Sequence, residues 1–228
     1  MAANKRIRVS KIWFRYRHWV LLLILGIGFW VPWQRGAGEH LRNTWLLLAG
    51  TLARTHILHI TASITAVMAT AIFFALLAAL LRTWAAASPW ASDAQTTLAG
   101  DQNIKHRPYR YAKNMRYAGL WLHTLALSIL MPPGGALFAV IGVTVWAVTL
   151  IRLEEQRFFQ QRGPGGGLRT RWGSAFLSQL YFWGVCLTYV AFGDRYNTTL
   201  LEQGVLISFG TAILIQGLRT PNRPLTAE

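Results

Sequence analysis

The sequence is poor in the residues that soluble domains use for charge and for covalent cross-linking. It contains one cysteine, Cys186, so the chain cannot form an internal disulfide or a multi-cysteine zinc site. Only 14% of its 228 residues are charged, whereas a soluble domain of this size carries about a quarter. Acidic residues are the scarcest, at eight against 23 lysines and arginines. These shortages argue against a soluble globular domain.

Motifs of the common soluble enzyme classes are also missing. The sequence has no glycine-rich dinucleotide fingerprint after a strand, no Walker loop, no zinc-protease helix motif and no serine-hydrolase elbow. The stretch GPGGG at residues 163–167 lacks the following lysine of a phosphate-binding loop, so we interpret it as a connector. A function must therefore be sought outside these classes.

Apolar residues make up 53% of the chain and gather in long runs between basic tracts. Runs of this length predict transmembrane helices. We predict an all-α integral membrane bundle of about six transmembrane helices, with residues 1–228 forming a single membrane domain. The predicted crossings are residues 19–33, 55–81, 117–131, 136–151, 174–192 and 205–218.

Two of these crossings are predicted to form a short helical hairpin. The sequence Pro132-Pro133-Gly134-Gly135 between them breaks a helix and suits a tight reversal. Each arm is shorter than the twenty or so residues of a usual crossing, so the hairpin is expected to lie inside the bundle. An interfacial turn is predicted near residues 45–53, ahead of the crossing at 55–81.

Basic residues are concentrated in the N-terminal segment, in residues 82–116 and 152–171, and in the C-terminal tail. By the positive-inside rule, this distribution predicts that both termini and both basic tracts face the cytoplasm. We attribute the net charge of +15 to topology and to anionic lipid headgroups, and predict the bilayer rather than nucleic acid as the partner. The sequence does not indicate an oligomeric state.

Two short stretches carry chemically informative residues. HRPYRYAKNMRYAG, residues 106–119, interleaves tyrosines with basic residues, a pattern typical of a juxtamembrane basic–aromatic belt. RLEEQRFF, residues 152–159, places Glu154 and Glu155 side by side in a chain with few acidic residues. Carboxylates near the C-terminal end of a helix oppose its dipole. Either local pairing with Arg152 and Arg157 or a bound cation would explain them.

Taken in this order, the two stretches resemble the integral membrane methyltransferases, the family of isoprenylcysteine carboxyl methyltransferase and the phospholipid N-methyltransferases. The family pattern is a Pro-Tyr motif with basic, asparagine, tyrosine and glycine positions, then a helical hairpin, then a Glu-Glu pair. The resemblance covers about residues 75–160, including the lead-in LRTWA at 81–85, and departs from the pattern at Arg107, Lys113 and Met115. The matching residues are Pro108, Tyr109, Asn114, Tyr117, Gly119, Glu154 and Glu155.

The resemblance implies S-adenosyl-L-methionine as methyl donor, bound within about residues 82–172, and a lipophilic acceptor that enters from the bilayer. It implies that the carboxylates complement the donor's sulfonium and ammonium groups, and that Arg110 or Lys113 binds its carboxylate. The tyrosines and the asparagine would contact adenine and ribose, and Gly119 would let the backbone approach the ligand. The implied donor-binding set is Pro108, Tyr109, Arg110, Lys113, Asn114, Tyr117, Gly119, Glu154 and Glu155.

Five residues are predicted to serve the transfer or to bind the acceptor. Glu155 or His123 would assist an amine acceptor in losing its proton, whereas a thiolate or carboxylate acceptor needs no base. Arg169 and Arg171, together with Arg152, would pair with an anionic headgroup or free carboxylate of the acceptor. The acceptor class stays open between a prenyl-thiol-like or carboxylate-like lipid and a phospholipid amine.

Histidines raise a different function class. His56 and His59, spaced i, i+3 on a predicted helix face, and His123 on a neighbouring helix could ligate a haem or a metal in the bundle. More often, polar residues in apolar helices hydrogen-bond between helices, so we assign no metal ligand. A transporter is a third class, which the lack of a visible inverted repeat disfavours.

Overall fold

A computed structural model of the chain describes residues 17–30, 43–56, 58–87, 107–158, 172–195 and 197–219. This described part is all-helical and contains no β-strand, which confirms the predicted fold class at that level. Its helices are α1 (Arg17–Trp30), α2 (Thr44–Arg54), α3 (Ile60–Ala87), α4 (Arg107–Ser128), α5 (Pro133–Phe158), α6 (Trp172–Ser178), α7 (Leu180–Phe192) and α8 (Thr198–Arg219), with a 3-10 turn at Gly193–Arg195.

Several of these helices are apolar enough to lie in a membrane. By length and composition, Ile60–Ala87 and Pro133–Arg152 could each cross a bilayer, and the bent pair α6–α7 makes a third candidate if it counts as one span. Trp19–Trp30 and Thr199–Ile215 are shorter apolar segments. Large apolar side chains point outward along these helices, which is compatible with a lipid environment; examples are Phe73, Ile141, Leu187 and Leu206.

Helix α3 is the centre of the bundle and packs against α2, α4, α6 and α7. Its buried face consists mostly of small side chains, which allow neighbouring backbones to approach closely. The antiparallel helix α4 comes nearest at Gly119, where a Cβ atom would lie 2.6 Å from Cγ of Arg82 and 3.1 Å from the carbonyl oxygen of Ala78. The buried small residues of α3 are Ser63, Ala71, Ala75, Ala78, Ala79, Thr83, Ala85 and Ala87.

Helices α4 and α5 form the helical hairpin that the sequence predicts, with the reversal at residues 129–132. Both arms are longer than predicted, because each helix continues into its polar tract. Helix α4 begins at Arg107, which puts Pro108 in the first turn, where the N–H that proline lacks would have no helical partner anyway. Helix α5 runs through Glu154 and Glu155 to Phe158.

Residues 44–54 form a helix, so the interfacial turn predicted near 45–53 is wrong. The backbone N–H groups of Thr44 and Trp45 donate to the carbonyl oxygens of Met131 and Ile129, at 2.9 and 3.0 Å. The Thr44 hydroxyl also donates to Met131, at 2.7 Å. The first N–H groups of a helix need such acceptors from outside it. Here the hairpin reversal supplies them, across 87 residues of sequence.

The crossing predicted at 55–81 is displaced toward the C-terminus. His56 has a φ of 57°, and neither Leu58 nor His59 is helical, so α3 begins later than predicted. The prediction stopped before Arg82 because a charge is costly in an apolar helix. The structure continues α3 to Ala87, because the guanidinium of Arg82 finds partners inside the bundle.

The crossing predicted at 174–192 is broken rather than continuous. Helices α6 and α7 meet at Gln179 with a bend of 67°, and Gln179 has φ −110° and ψ 16°. Its N–H donates to the carbonyl oxygens of Ala175 and Phe176, and its own carbonyl oxygen accepts from the N–H groups of Phe182 and Trp183. The backbone therefore stays hydrogen-bonded across the break, as an apolar surrounding requires.

Helices α7 and α8 pack through small residues, which bring their backbones close together. A Cβ atom on Gly184 would lie 2.7 Å from Cβ of Ser208, and one on Gly204 would overlap the side chain of Thr188. Thr188 and Ser208 each donate a hydrogen bond to the carbonyl oxygen four residues earlier in their own helix, at 2.9 and 2.8 Å. Helix α8 starts at Thr198, seven residues before its predicted start at Val205.

Candidate functional site

The hairpin brings the two motif stretches to the same end of the bundle. Nε1 of Trp121 donates to Oγ1 of Thr144 at 3.0 Å, which sets the level of α4 against α5. Antiparallel helices rise by about 1.5 Å per residue. Arg110 lies as many residues before Trp121 as Glu155 lies after Thr144. The backbones of Arg110 and Glu155 therefore lie at about the same level along the hairpin. The sequence alone predicted a hairpin, and the hydrogen bond supplies its register.

The side chains of residues 107–113 and 153–158 lie outside what the structure describes. The predicted contacts of Pro108, Tyr109, Arg110 and Lys113 with a donor therefore stay predictions. The same holds for the contacts of Glu154 and Glu155. Only the backbone placement of these residues in α4 and α5 is established.

Three other motif residues have described surroundings. Tyr117 is buried, and it belongs with Leu120 to a hydrophobic cluster that also contains Trp146 of α5. Asn114 is exposed. At Gly119 the close approach is to Arg82 and Ala78 of α3, so the glycine lets the two helices pack closely, and its predicted contact with the donor stays a prediction.

Arg82 lies at the centre of a polar cluster that was not predicted from the sequence. Its Nε atom donates to Oε1 of Gln179 at 2.8 Å, and its Nη1 atom donates to the carbonyl oxygen of Arg116 at 3.3 Å. Its Cζ atom lies 4.1 Å from the ring centre of Phe182, in cation–π geometry. Arg82 thus connects α3 with the motif helix α4 and with the break before α7. The sequence does contain an indication of this cluster: Arg82 lies within an apolar run, and a charged residue in such a run usually marks a functional position.

His123 lies next to this cluster, one helical turn beyond Gly119 on the same face of α4. It is 1% exposed, and neither ring nitrogen has a hydrogen-bond partner among the described residues. Its ring lies 5.0 Å from that of Tyr181 and 4.4 Å from that of Phe182, measured between centroids. A buried polar group without a partner costs about 1–3 kcal/mol, so the position requires an explanation.

A second side-chain hydrogen bond ties the start of α7 to α3. Nε1 of Trp183 donates to Oγ1 of Thr83 at 2.9 Å, and the Trp183 ring packs 5.4 Å from that of Phe176 on α6. Gln179 at the bend and Trp183 just beyond it are therefore held by two residues adjacent in the sequence of α3, Arg82 and Thr83. This contact does not involve the motif helix α4.

The histidines do not assemble into the haem or metal arrangement that the sequence left as an alternative. His56 and His59 precede α3 in a non-helical segment and are both exposed, so their predicted placement on one helix face is wrong. His123 is buried instead beside Tyr181 and Phe182. Within the described ranges, no three His, Cys, Asp or Glu side chains come together in a way that could hold a metal ion.

The predicted acceptor-binding arginines are only partly accounted for. Arg152 is exposed on α5, near the Glu154–Glu155 pair in sequence. Arg169 and Arg171 lie outside the described residues. Their pairing with an acceptor headgroup stays a prediction.

Comparison with protein-family models, with curated proteins and with solved structures finds no match to this chain. The resemblance to membrane methyltransferases therefore rests on the motif residues and their spacing. Any functional assignment has to be argued from the chemistry of those residues and from the cluster around Arg82 and His123.

Proposed function

We propose that the protein is a membrane-embedded methyltransferase that uses S-adenosyl-L-methionine to methylate a lipophilic acceptor. The observation that supports it most strongly is the register of the hairpin. The basic–aromatic stretch at residues 108–119 and the pair Glu154–Glu155 are separate in sequence, yet the Trp121–Thr144 hydrogen bond puts their backbones at one end of α4 and α5. A donor that carries both cationic and anionic groups needs such a mixed set of side chains.

The residues at this end have the chemistry that the donor requires. Glu154 and Glu155 would hold its cationic part, and Arg110 or Lys113 would bind its carboxylate through charge-assisted hydrogen bonds. Tyr109 and Asn114 would contact its aromatic and hydroxyl groups. When bound, the donor supplies a methyl group on a positively charged sulfur. The protein then has to align the acceptor with that methyl group and exclude water.

In this proposal the bundle crosses the bilayer with about six segments, and both termini face the cytoplasm. The support is the concentration of basic residues in tracts 82–116 and 152–171, which flank the donor-binding end of the hairpin. In a Cys186→Ser background, Gln95→Cys and Asn197→Cys should react with an impermeant thiol reagent from opposite sides of intact cells. Labelling of both from the same side would contradict this topology.

Calorimetry of purified protein in detergent with S-adenosyl-L-methionine tests the donor site. Glu155→Gln should weaken binding by about tenfold or more, because a charge-assisted contact contributes roughly 1.5–3 kcal/mol. Glu202→Gln is the matched control: it removes the same charge on α8, outside both motifs, and should leave the affinity unchanged. Unchanged affinity in both Glu154→Gln and Glu155→Gln would remove these carboxylates from the site.

The activity itself is tested by incubating the purified protein with membrane lipids and donor labelled in its methyl group. Label should move into an organic-extractable product in the wild type and not in the Glu155→Gln variant at low donor concentration. A wild-type protein that neither binds the donor nor transfers label would contradict the proposed function.

A further inference from the structure

The strongest unexplained feature of the structure is the isolation of the His123 ring nitrogens. Both are buried, and the described residues offer neither a hydrogen-bond partner. Buried polar atoms in proteins are nearly always bonded to protein or water. An ionisable side chain in an apolar helix is by default a candidate for function. A ligand is therefore a natural partner for this imidazole.

His123 lies far from the donor-binding end of the hairpin. It follows Arg110 by thirteen residues along α4, which is about 20 Å at a rise of about 1.5 Å per residue. It lies seven residues, or about 10 Å, beyond Arg116, and six residues, or about 9 Å, before the reversal that begins at Ile129. The imidazole is therefore near the middle of the apolar part of α4, and a ligand bound there is separate from the methyl donor.

The surroundings of His123 favour a neutral ligand. Burial disfavours a charged imidazole, and a second cation is disfavoured by Arg82, whose Cζ atom lies 4.1 Å from the ring centre of the neighbouring Phe182. An anionic headgroup would lose its hydration at this depth, whereas the exposed Arg152 offers it a partner at the donor-binding end. A neutral imidazole has one nitrogen that donates and one that accepts, so it can bind a carbonyl or a hydroxyl group.

The ring of Tyr181 occupies the place next to His123 where a flat ligand would fit. It lies between His123 of α4 and Phe209 of α8, at centroid distances of 5.0 and 5.7 Å, and meets both rings edge to face. Tyr181 is only partly buried, and it follows the break at Gln179, where α6 and α7 meet at 67°. Membrane proteins bind polar groups at such broken helices. An outward rotation of Tyr181 would leave a slot between His123 and Phe209 that is the size of one aromatic ring.

We infer that the slot between His123 and Phe209 binds the head group of a lipophilic quinone or its quinol, with Tyr181 displaced toward the lipid. A quinone carbonyl accepts a hydrogen bond from the imidazole N–H, and a quinol hydroxyl donates to the unprotonated nitrogen. The flat ring replaces the phenol ring against Phe209. A neutral quinone ring can lie in the hydrocarbon core, whereas the polar groups of phospholipids stay in the interfacial region. This inference does not depend on the proposed function.

Calorimetry in detergent with 2,3-dimethyl-5-decyl-1,4-benzoquinone tests the site. A Cys186→Ser background prevents addition of the quinone to the thiol. The control ligand is 1,2-dimethyl-4-decylbenzene, which keeps the ring and the chain but lacks both carbonyl groups. After correction for partition of each compound into the micelles, the quinone should bind severalfold more tightly, because only the quinone accepts a hydrogen bond from His123. Equal affinities, or no binding of the quinone, overturn the inference.

The role of the imidazole is tested with His123→Phe. This change should weaken binding of the quinone by about fivefold, the factor that a hydrogen bond between neutral groups typically contributes, and leave binding of the hydrocarbon unchanged. His59→Phe, which replaces an exposed histidine outside the bundle, is the matched control and should bind both ligands as the wild type does. Wild-type affinity for the quinone in His123→Phe, or an equal loss for both ligands, would overturn the assignment of His123 as the partner.

Tyr181→Ala distinguishes a displaced ring from a merely structural one. Removal of the ring that the ligand has to displace should tighten binding of the quinone by about threefold or more, because the slot is then open without a conformational change. A structural defect would have the opposite effect and weaken binding. Weaker binding of the quinone by Tyr181→Ala would therefore overturn the displacement of Tyr181 and, with it, the inferred slot.

Discussion

Two of the contacts that hold helix α7 have opposite chemistry. At its start, Arg82 and Thr83 of α3 form hydrogen bonds with Gln179 and Trp183. Further along, Gly184 and Thr188 pack against Gly204 and Ser208 of α8, and each hydroxyl is bonded to its own helix. The first contact is directional and sets the orientation of α7. The second depends on the absence of side chains at Gly184 and Gly204, and it sets the distance between α7 and α8.

This difference separates two kinds of sensitivity. Close packing of two helices at glycine residues is disrupted when a side chain is added there, since neither backbone can move aside without losing its other packing. A contact made of hydrogen bonds fails when a partner is removed and the other stays buried. Both kinds of failure lower the free energy of unfolding, which can be measured by titration with a denaturing detergent and read from tryptophan fluorescence.

The largest effect is expected from Gly204→Leu. Even a Cβ atom at this position overlaps the side chain of Thr188, so a leucine should cost about 3 kcal/mol, the upper end of what overpacking usually costs. The matched control is Gly210→Leu on the same helix, where a Cβ atom meets nothing within 4 Å. Equal losses in the two variants would show that the α7–α8 contact is looser than described.

The second effect is the loss of the directional contact through Arg82→Ala. This change leaves the Gln179 amide and the Arg116 carbonyl without their guanidinium partner, at a cost of about 2 kcal/mol. Arg82→Lys should recover only part of it, because an ammonium cannot reproduce the planar arrangement of donors. Arg54→Ala, on the exposed end of α2, is the control. Full recovery by lysine would mean that charge alone holds the cluster.

A smaller loss is expected from Thr83→Val, which keeps the shape of the side chain and removes the acceptor for Trp183. Hydrogen bonds between helices in apolar surroundings contribute about 0.6 kcal/mol on average, so the loss should be of that order. Trp183→Phe should lose the same hydrogen bond and, in addition, some of the packing energy of the larger indole ring. The double variant should then lose less than the two single losses combined.

The smallest effect is expected from Ser208→Ala. Its hydroxyl donates to Gly204 within α8 and lies 3.4 Å from the hydroxyl of Thr188, so it adds little between the helices. The loss should be under about 0.5 kcal/mol. Gly184→Ala, which adds an atom 2.7 Å from Cβ of Ser208, provides the contrast and should cost more. A larger loss in Ser208→Ala would mean that the hydroxyl pair, and not close packing, joins α7 to α8.

The candidate site was only partly predictable from sequence. Residues 106–119 and 152–159 can be recognised because their charges and tyrosines are unusual in an apolar chain. The hydrogen bonds of Arg82 join residues 97 and 34 positions apart, and no local pattern indicates such partners. His123 could be noticed as a histidine in an apolar run, but its lack of a partner depends on how Tyr181 and Phe182 of α7 pack against its ring.

Sequence alone determined what short-range physics decides: the all-helical character of the described ranges, their apolar segments, and a reversal that ends at Pro132. Hydropathy and the missing N–H of proline act within a few residues, so they can be read along the chain. Only the tertiary structure decided that α3 continues through Arg82, that α7 breaks from α6 at Gln179, and that α2 begins against the hairpin reversal. Each of these depends on hydrogen-bond partners far away in sequence, and a buried polar group takes the conformation in which those partners reach it.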